Sequence, residues 1–422
     1  MRDSKKLAFI ISSVISISQI VNALDNGLGL TPPMGWNSWN AYGCKINADA
    51  VKDNANKLIS LGLDKIGYTY VIIDDCWMMK DRDANGHLLH DNSKFPGGMR
   101  PMSSFLHDNN LKLGLYESAG AQTCQGGAGS LGFETADAGD FAMVKIDYLK
   151  YDNCHNENIP ALKRFTDMQL ALNASGRQIY YSISNSGNED VWTWAKKIAN
   201  SWRTTTSIDN SFTSVKYNFI TNNKYADFAG VGGWNDPDVL VIGNGQLTIS
   251  ESRTQFALWC FVKAPLILGN DLINMSPEVL AIISNKNLIA INQDSSGNIG
   301  SCVMNCQNDL QVYQVMNLDG GVYFGILVVN WNNDEMDSVL LDFVTMGIAG
   351  NPYYNCQVSD LWTGTLVGTF KRTYLVKDVL PHDNKALKIK CLPWGQEFPS
   401  ADQKHKFQFP WENHHTQNEF LN

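Results

Sequence analysis

Four short apolar runs between positions 68 and 184 each stop in a cluster of polar or acidic residues. Tyr68 to Ile73 ends in Asp74-Asp75-Cys76-Trp77, and Leu111 to Tyr116 ends in Glu117-Ser118-Ala119-Gly120. Tyr148 to Tyr151 ends in Asp152-Asn153-Cys154, and Ile179 to Ile183 ends in Ser184-Asn185-Ser186-Gly187. Continuous apolar runs of this length are the pattern of strands buried on both faces. Helical spacing fills the intervals. Val51, Ala55, Leu58 and Ile59 share a face after Asn47, an N-cap residue, and Leu162, Phe165, Met168 and Leu172 are in step. Further on, Ile198 to Trp202 leads into Arg203, and Ala226 to Val231 leads into Gly-Gly-Trp-Asn-Asp-Pro-Asp at 232–238. Ile249 to Val262 reads as a helix and Ala264 to Leu268 as a last strand. Alternation of this kind, with polarity gathered where strands stop, predicts an α/β fold: a (β/α)8 TIM barrel with its chemistry at the C-terminal face. An open doubly wound sheet would want a Gly-rich phosphate turn after its first strand, and none is present.

From about residue 300 the helical spacing fades. Leu310–Met316, Val322–Val329, Val339–Phe343, Leu366–Phe370 and Ala386–Ile389 are short and strand-like, separated by turns such as Asp319-Gly320-Gly321. The expected division is a signal at 1–23, a catalytic barrel at 24–299, an antiparallel β-sandwich at 300–392 and a polar, disordered tail at 393–422. In 422 residues, 44% hydrophobic and 18% charged, one large barrel and a small domain fit comfortably. A net charge of -9 excludes nucleic acid as a natural partner.

Arg2, Lys5 and Lys6 precede an apolar stretch from Leu7 to Val21, and Val21-Asn22-Ala23 has the small residues of a cleavage site. The stretch is short for a membrane span. This predicts a mature chain beginning near Leu24, either secreted or delivered to a lysosome or vacuole, and without a membrane anchor. Nine cysteines in that setting point to disulfides. Cys260, inside an apolar helical run, is expected to be a buried free thiol, and the pairing of Cys302, Cys306, Cys356 and Cys391 stays open. No CxxC or HExxH pattern calls for a metal, and no cofactor motif is found. Asn173-Ala174-Ser175 and Asn274-Met275-Ser276 are glycosylation acceptors.

The acids at the predicted strand ends are Asp74, Asp75, Glu117, Asp152, Asp209, Asp236 and Asp238. Trp36, Trp39, Trp77, Tyr116 and Trp234 lie near them in sequence, and Lys150 and Arg203 add fixed positive charge. Asp152 beside Lys150 is expected to stay ionised, which suits a nucleophile; capping the next helix is the other use of such a residue. Carboxylates with aromatic faces suit a neutral polyhydroxylated ligand, and glycoside hydrolysis needs two carboxyl groups.

The motifs TPPMGWNSWN at 31–40, IDDCW at 73–77, LKYDNC at 149–154, WNDPD at 234–238, KAPLILGNDL at 263–272 and INQD at 291–294 make the chain similar to one glycoside hydrolase family. That family contains secreted and lysosomal alpha-galactosidases and alpha-N-acetylgalactosaminidases. The resemblance implies a (β/α)8 barrel followed by a sandwich, and alpha-galactoside sugars as substrates. It implies Asp152 as nucleophile. Trp39, Asp74, Asp75, Tyr116, Lys150, Ser184, Ser186, Arg203 and Asp236 are the implied sugar contacts. It also implies the disulfides Cys44–Cys76 and Cys124–Cys154.

Three positions depart from the family pattern. Ser207 stands four residues after the arginine of SWRTT, where the family has its acid/base aspartate, and serine does not ionise near neutral pH. General acid or base assistance is typically worth ~10²–10⁴-fold. Asp209, two residues on, is the candidate stand-in. Ser184 and Ser186 replace a cysteine and a tryptophan of plant-like members, leaving room for a 2-acetamido group. Glu117-Ser118 replaces a serine-aspartate pair and is read either as a compensating carboxylate or as drift. The expected activity is a retaining alpha-galactosidase impaired by Ser207. The alternatives are an alpha-N-acetylgalactosaminidase and a galactose-binding protein without turnover.

Overall fold

A computed structural model describes residues 24, 26–333, 336–393, 395, 396 and 398. The expected signal at 1–23 and the tail from 399 onward lie outside the described residues. Eight parallel strands form one sheet: β1 Met34–Asn37, β2 Tyr70–Ile73, β3 Lys112–Ser118, β4 Tyr148–Asp152, β5 Tyr180–Ser184, β6 Ser201–Arg203, β7 Trp234–Asp236 and β8 Leu266–Leu268. They run in the order β8-β1-β2-β3-β4-β5-β6-β7. The ring closes just beyond β7. The Leu240 amide donates to the Ile267 carbonyl (2.8 Å), and the Gly269 amide donates to the Leu240 carbonyl (2.9 Å).

Helices follow the strands, except after β5, where only 3-10 turns stand, and after β8, which two helices follow: α1 Ala48–Ser60, α2 Met99–Asp108, α3 Glu134–Val144, α4 Ala161–Ala174, α5 Phe212–Asn223, α6 Ile249–Phe261, α7 Pro277–Ile283 and α8 Lys286–Asn292. Asn47 caps α1 by accepting the Ala50 amide, as its position predicts. Three readings need correction. β1 lies inside the Trp/Asn stretch, which showed no apolar run. The strand sought at Ala226–Val231 is a short 3-10 turn, and β7 comes later, at Trp234. In α4 Leu162 is exposed and Ala161 is the buried residue, because the helix begins only after Pro160.

The pleat decides what each strand presents. On β4, Leu149 and Tyr151 pack outward in the main core among residues such as Phe165, which meets Tyr151 edge-on. Tyr148, Lys150 and Asp152 therefore face the barrel interior. Tyr148 stacks on Tyr180 there, with ring centroids 4.9 Å apart, in a small inner core with Tyr70, Ile72 and Ile267.

The second unit is a six-stranded antiparallel sheet with a separate antiparallel pair laid against it. In chain order its strands are β9 Ser301–Met304, β10 Leu310–Asn317, β11 Tyr323–Asn330, β12 Met336–Asp342, β13 Asn355–Asp360, β14 Leu366–Phe370, β15 Thr373–Val379 and β16 Asn384–Leu392. The sheet order is β9-β10-β11-β16-β13-β14, and β12 pairs with β15. Sequence reading missed β9, β13 and β15. On β10 and β11, Val312, Ile326 and Val328 face the sandwich core, whereas Tyr313, Val315, Leu327 and Val329 belong to the barrel core. This sheet is therefore buried on both faces. Thr254 and Arg253 on α6 bond the His382 carbonyl (2.7 Å) and the Asp383 carboxylate (3.2 Å) across the seam.

Candidate active site

All the carboxylates that matter converge because parallel strands stop at one end of the barrel. There, strand-end side chains and the loops beyond line a cleft of about 940 Å³. Asp74 and Asp75 follow β2. The Asp74 carboxylate accepts bonds from the Lys150 ammonium and the Asn37 amide, both at 2.7 Å, and from the Asp75 backbone amide at 2.9 Å. Burial works against the Lys150 charge, but the carboxylates of Asp74, Asp152 and Asp238 outweigh it and hold its pKa above the ordinary lysine value. The ammonium's direct partner is thus Asp74, not its sequence neighbour Asp152. Asp75 accepts the Cys76 and Gln125 amides. Burial pushes its carboxyl up, against the bonds it accepts, and Asp74 adds to the rise.

Asp152 ends β4. It accepts the Tyr116 hydroxyl at 3.0 Å and its neighbour's amide at 2.8 Å. It does not cap α4, which starts at Ala161 behind Pro160. The disulfide Cys124–Cys154 forms part of the cleft wall, with the Cys124 sulfur 3.4 Å from the same Asp152 oxygen. Asp152 and these two sulfurs are grouped closely enough to hold a metal. Bonded to each other, the sulfurs are not available as thiolate ligands. Cys44–Cys76 forms as the resemblance implies, the late cysteines pair Cys302–Cys306 and Cys356–Cys391, and Cys260 is a buried free thiol.

Trp39, Asp74, Asp75, Tyr116, Lys150, Asp152, Ser184, Ser186, Arg203, Ser207 and Asp209 all line the cleft. Ser207 and Asp209 are solvent-exposed. The Asp209 carboxylate accepts the Ser211 hydroxyl, at the residue that caps α5. Trp36, Trp77 and Trp234 are core residues: each is buried, and each indole nitrogen donates to a backbone carbonyl.

Two candidate carboxylates are not where sequence placed them. Asp236 points into the barrel beneath the cleft and is absent from its lining; Asp238 lines it instead. The strand ends at Asp236, and the turn through Pro237 carries the next acid up to the mouth. There Asp238, at φ +84°, accepts the Ile208 and Val239 amides and pairs with Arg203 at 3.1 Å. The paired aspartates of WNDPD were the available signal, but strand ends are hard to place to one residue. Glu117 pairs in register with Tyr151 on the outward face, fully buried near Asp137 and Arg82. Burial raises its pKa well above the usual range, with Asp137 adding to the rise. It is therefore no compensating carboxylate for the cleft.

Known proteins share this sequence pattern and fold. The melibiase family model described as alpha galactosidase A matches residues 31–294. Alpha-galactosidase 3 of Arabidopsis thaliana is 43% identical over 341 residues, covering 80% of this chain and 77% of that protein. A probable alpha-galactosidase of Dictyostelium discoideum is 38% identical over 376 residues, covering 89% and 96%. The crystal structure of alpha-galactosidase I from Mortierella vinacea superposes with a TM-score of 0.81 at 34% identity, covering 89% of this chain and all of that one. A barrel with this cleft, a matching family model and relatives this similar along most of their length lead to one conclusion: the chain belongs to the melibiase family of alpha galactosidase A.

Proposed function

We propose that the chain is a retaining glycoside hydrolase that removes terminal alpha-D-galactose, with Asp152 as nucleophile. The observation that carries this is the placement of Asp152 at the cleft floor, bonded to Tyr116 and flanked by the Lys150–Asp74 pair. The relatives named alpha-galactosidase supply the sugar. Asp152 attacks the anomeric carbon, the bond to the aglycone oxygen breaks, and a covalent glycosyl-enzyme forms, which water then hydrolyses. Lys150, Asp74, Asp75, Arg203 and Tyr116 hold the hydroxyls while Trp39 packs on the ring. The departing oxygen needs a proton unless it is already a good leaving group. Ser207 cannot supply one, so ordinary galactosides react slowly and activated aryl galactosides still glycosylate Asp152. Asp209, tied to Ser211 at the rim, is the candidate stand-in acid.

Two further readings have support. The small side chains of Ser184 and Ser186 in the cleft favour an N-acetylgalactosamine glycoside. Ser207 favours a binding protein without turnover. One assay separates them: an aryl alpha-galactoside, an oligosaccharide and an aryl N-acetylgalactosaminide, each with wild type, Asp152→Asn, Ser207→Asp and Asp209→Asn. Hydrolysis lost in Asp152→Asn, and oligosaccharide cleavage rising ~10²-fold or more in Ser207→Asp, are expected. Absence of turnover on every substrate with galactose still bound would replace the enzyme by the binding protein. We also place the protein in an oxidising compartment, secreted, lysosomal or vacuolar. Four disulfides among the described residues support this. The N-terminus of the mature chain, expected near Leu24, tests it.

A further inference from the structure

Beneath the cleft floor the barrel encloses a second space of about 20 Å³, enough for one water molecule. Lys150, Ser184, Arg203 and Asp238 border both this chamber and the cleft above it; Asp236 and Ser182 border the chamber alone. Arg203 and Asp236 are register partners on β6 and β7. The guanidinium forms an ion pair with Asp238 and donates to the Thr205 carbonyl, and its buried Nε has no hydrogen-bond partner among the described residues. The Asp236 carboxylate accepts the Asp238 amide at 2.8 Å. The groups facing Asp236 are Arg203 on β6, Lys150 and Tyr148 on β4, Tyr180 on β5 and Asp238 beyond β7, with Asp74 behind Lys150. The walls from β1, β2 and β8 are Asn37, Ile72 and Ile267, which carry no charge.

We propose that Asp236 is a positioning residue for sugar binding. Ionised, it draws Arg203 and Lys150 down into the barrel; protonated, it leaves both cations to the sugar's hydroxyls. This rests on the reading of the cleft as a galactose site. Both forms occur within an accessible pH range. Burial pushes the Asp236 carboxyl up to about 6, Arg203 opposing the rise and Asp238 adding to it. Galactose is therefore held more tightly on the acid side and released as pH rises through about 6. By linkage, bound galactose raises the proton affinity of Asp236 in return.

The test is galactose binding by calorimetry from pH 4.5 to 7.5. Wild type should weaken on the order of fivefold across the step, a fraction of what a hydrogen bond to a charged group supplies. Asp236→Asn should keep the acid-side affinity throughout. A residue of merely structural importance would lower affinity without removing the step. Should Asp236→Asn fail to fold, carbon-13 NMR of aspartate-labelled wild type follows the same event. One buried carboxyl should titrate near pH 6, with its midpoint moving upward on adding galactose. A flat wild-type profile, a step retained in the variant, or a midpoint indifferent to galactose would overturn the proposal while leaving the galactose site intact. Absence of binding at every pH would overturn both.

Discussion

At the scale of single residues the cleft pairs Lys150 with Asp74 and Arg203 with Asp238 and leaves its other aspartates without a cation of their own among the described residues. Of these acids Asp74 is the most exacting, since its side chain is almost fully buried and Lys150 is the one cation paired with it among the described residues. Removing that cation strands a carboxylate, which typically costs ~3–5 kcal/mol. Lys150→Met should therefore lower stability by about that much in urea unfolding. The double variant with Asp74→Asn should lose less than the sum of the two single changes. The period-two pleat made Lys150 and Asp152 readable as a pair on one face from the sequence alone. Asp236, named as a contact by the resemblance, was misplaced because nothing in Trp-Asn-Asp-Pro-Asp says at which aspartate the sheet stops. Glu117 failed for the opposite reason. It lies within a strand, where parity alone decides, and parity turns it outward.

At the scale of elements, the loops after β3 and β4 matter most. The Ala121 amide donates to the His155 carbonyl (2.9 Å), and the Cys124–Cys154 disulfide fastens the two loops beside the proposed nucleophile. Gly120 lies between them, where a methyl group would overlap the Cys154 and His155 carbonyl oxygens. Backbone cannot step aside as a side-chain tip can. Gly120→Ala should cost about 3 kcal/mol, the upper end for overpacking, and displace Asp152. Activity falling with no change in the unfolding midpoint would contradict this. Long apolar strands and capped helices were legible in the sequence, because periodicity speaks over many residues. Four-residue β1 and three-residue β7 were not, since so few positions carry no period.

At the scale of the whole molecule, buried carboxyls set how folding responds to acid. Folded Asp236 keeps its proton up to about pH 6, whereas the unfolded chain releases it near 4. Its contribution is full below the unfolded value and is lost as pH rises through about 6. Asp75, Glu117 and Asp137 are shifted upward too, each mainly by burial. Asp271 and Asp294 run the other way: burial opposes their charge, but the hydrogen bonds they accept hold their carboxyls below the ordinary range. Their contribution is lost as pH falls through those lowered values. Melting temperature should therefore climb by a few degrees from pH 7 to pH 5 and drop again in stronger acid. A scan that rises steadily toward neutrality would contradict this balance.

The sheet that serves two cores has a last consequence. With Tyr313, Val315, Leu327 and Val329 seated among barrel helices, the C-terminal unit is less an appendage than a wall shared by two rooms. Damage on its far side travels inward through β10 and β11 to α6 and the strands that α6 braces. A barrel trimmed of this unit would lose the surface that keeps its own outer helices dry.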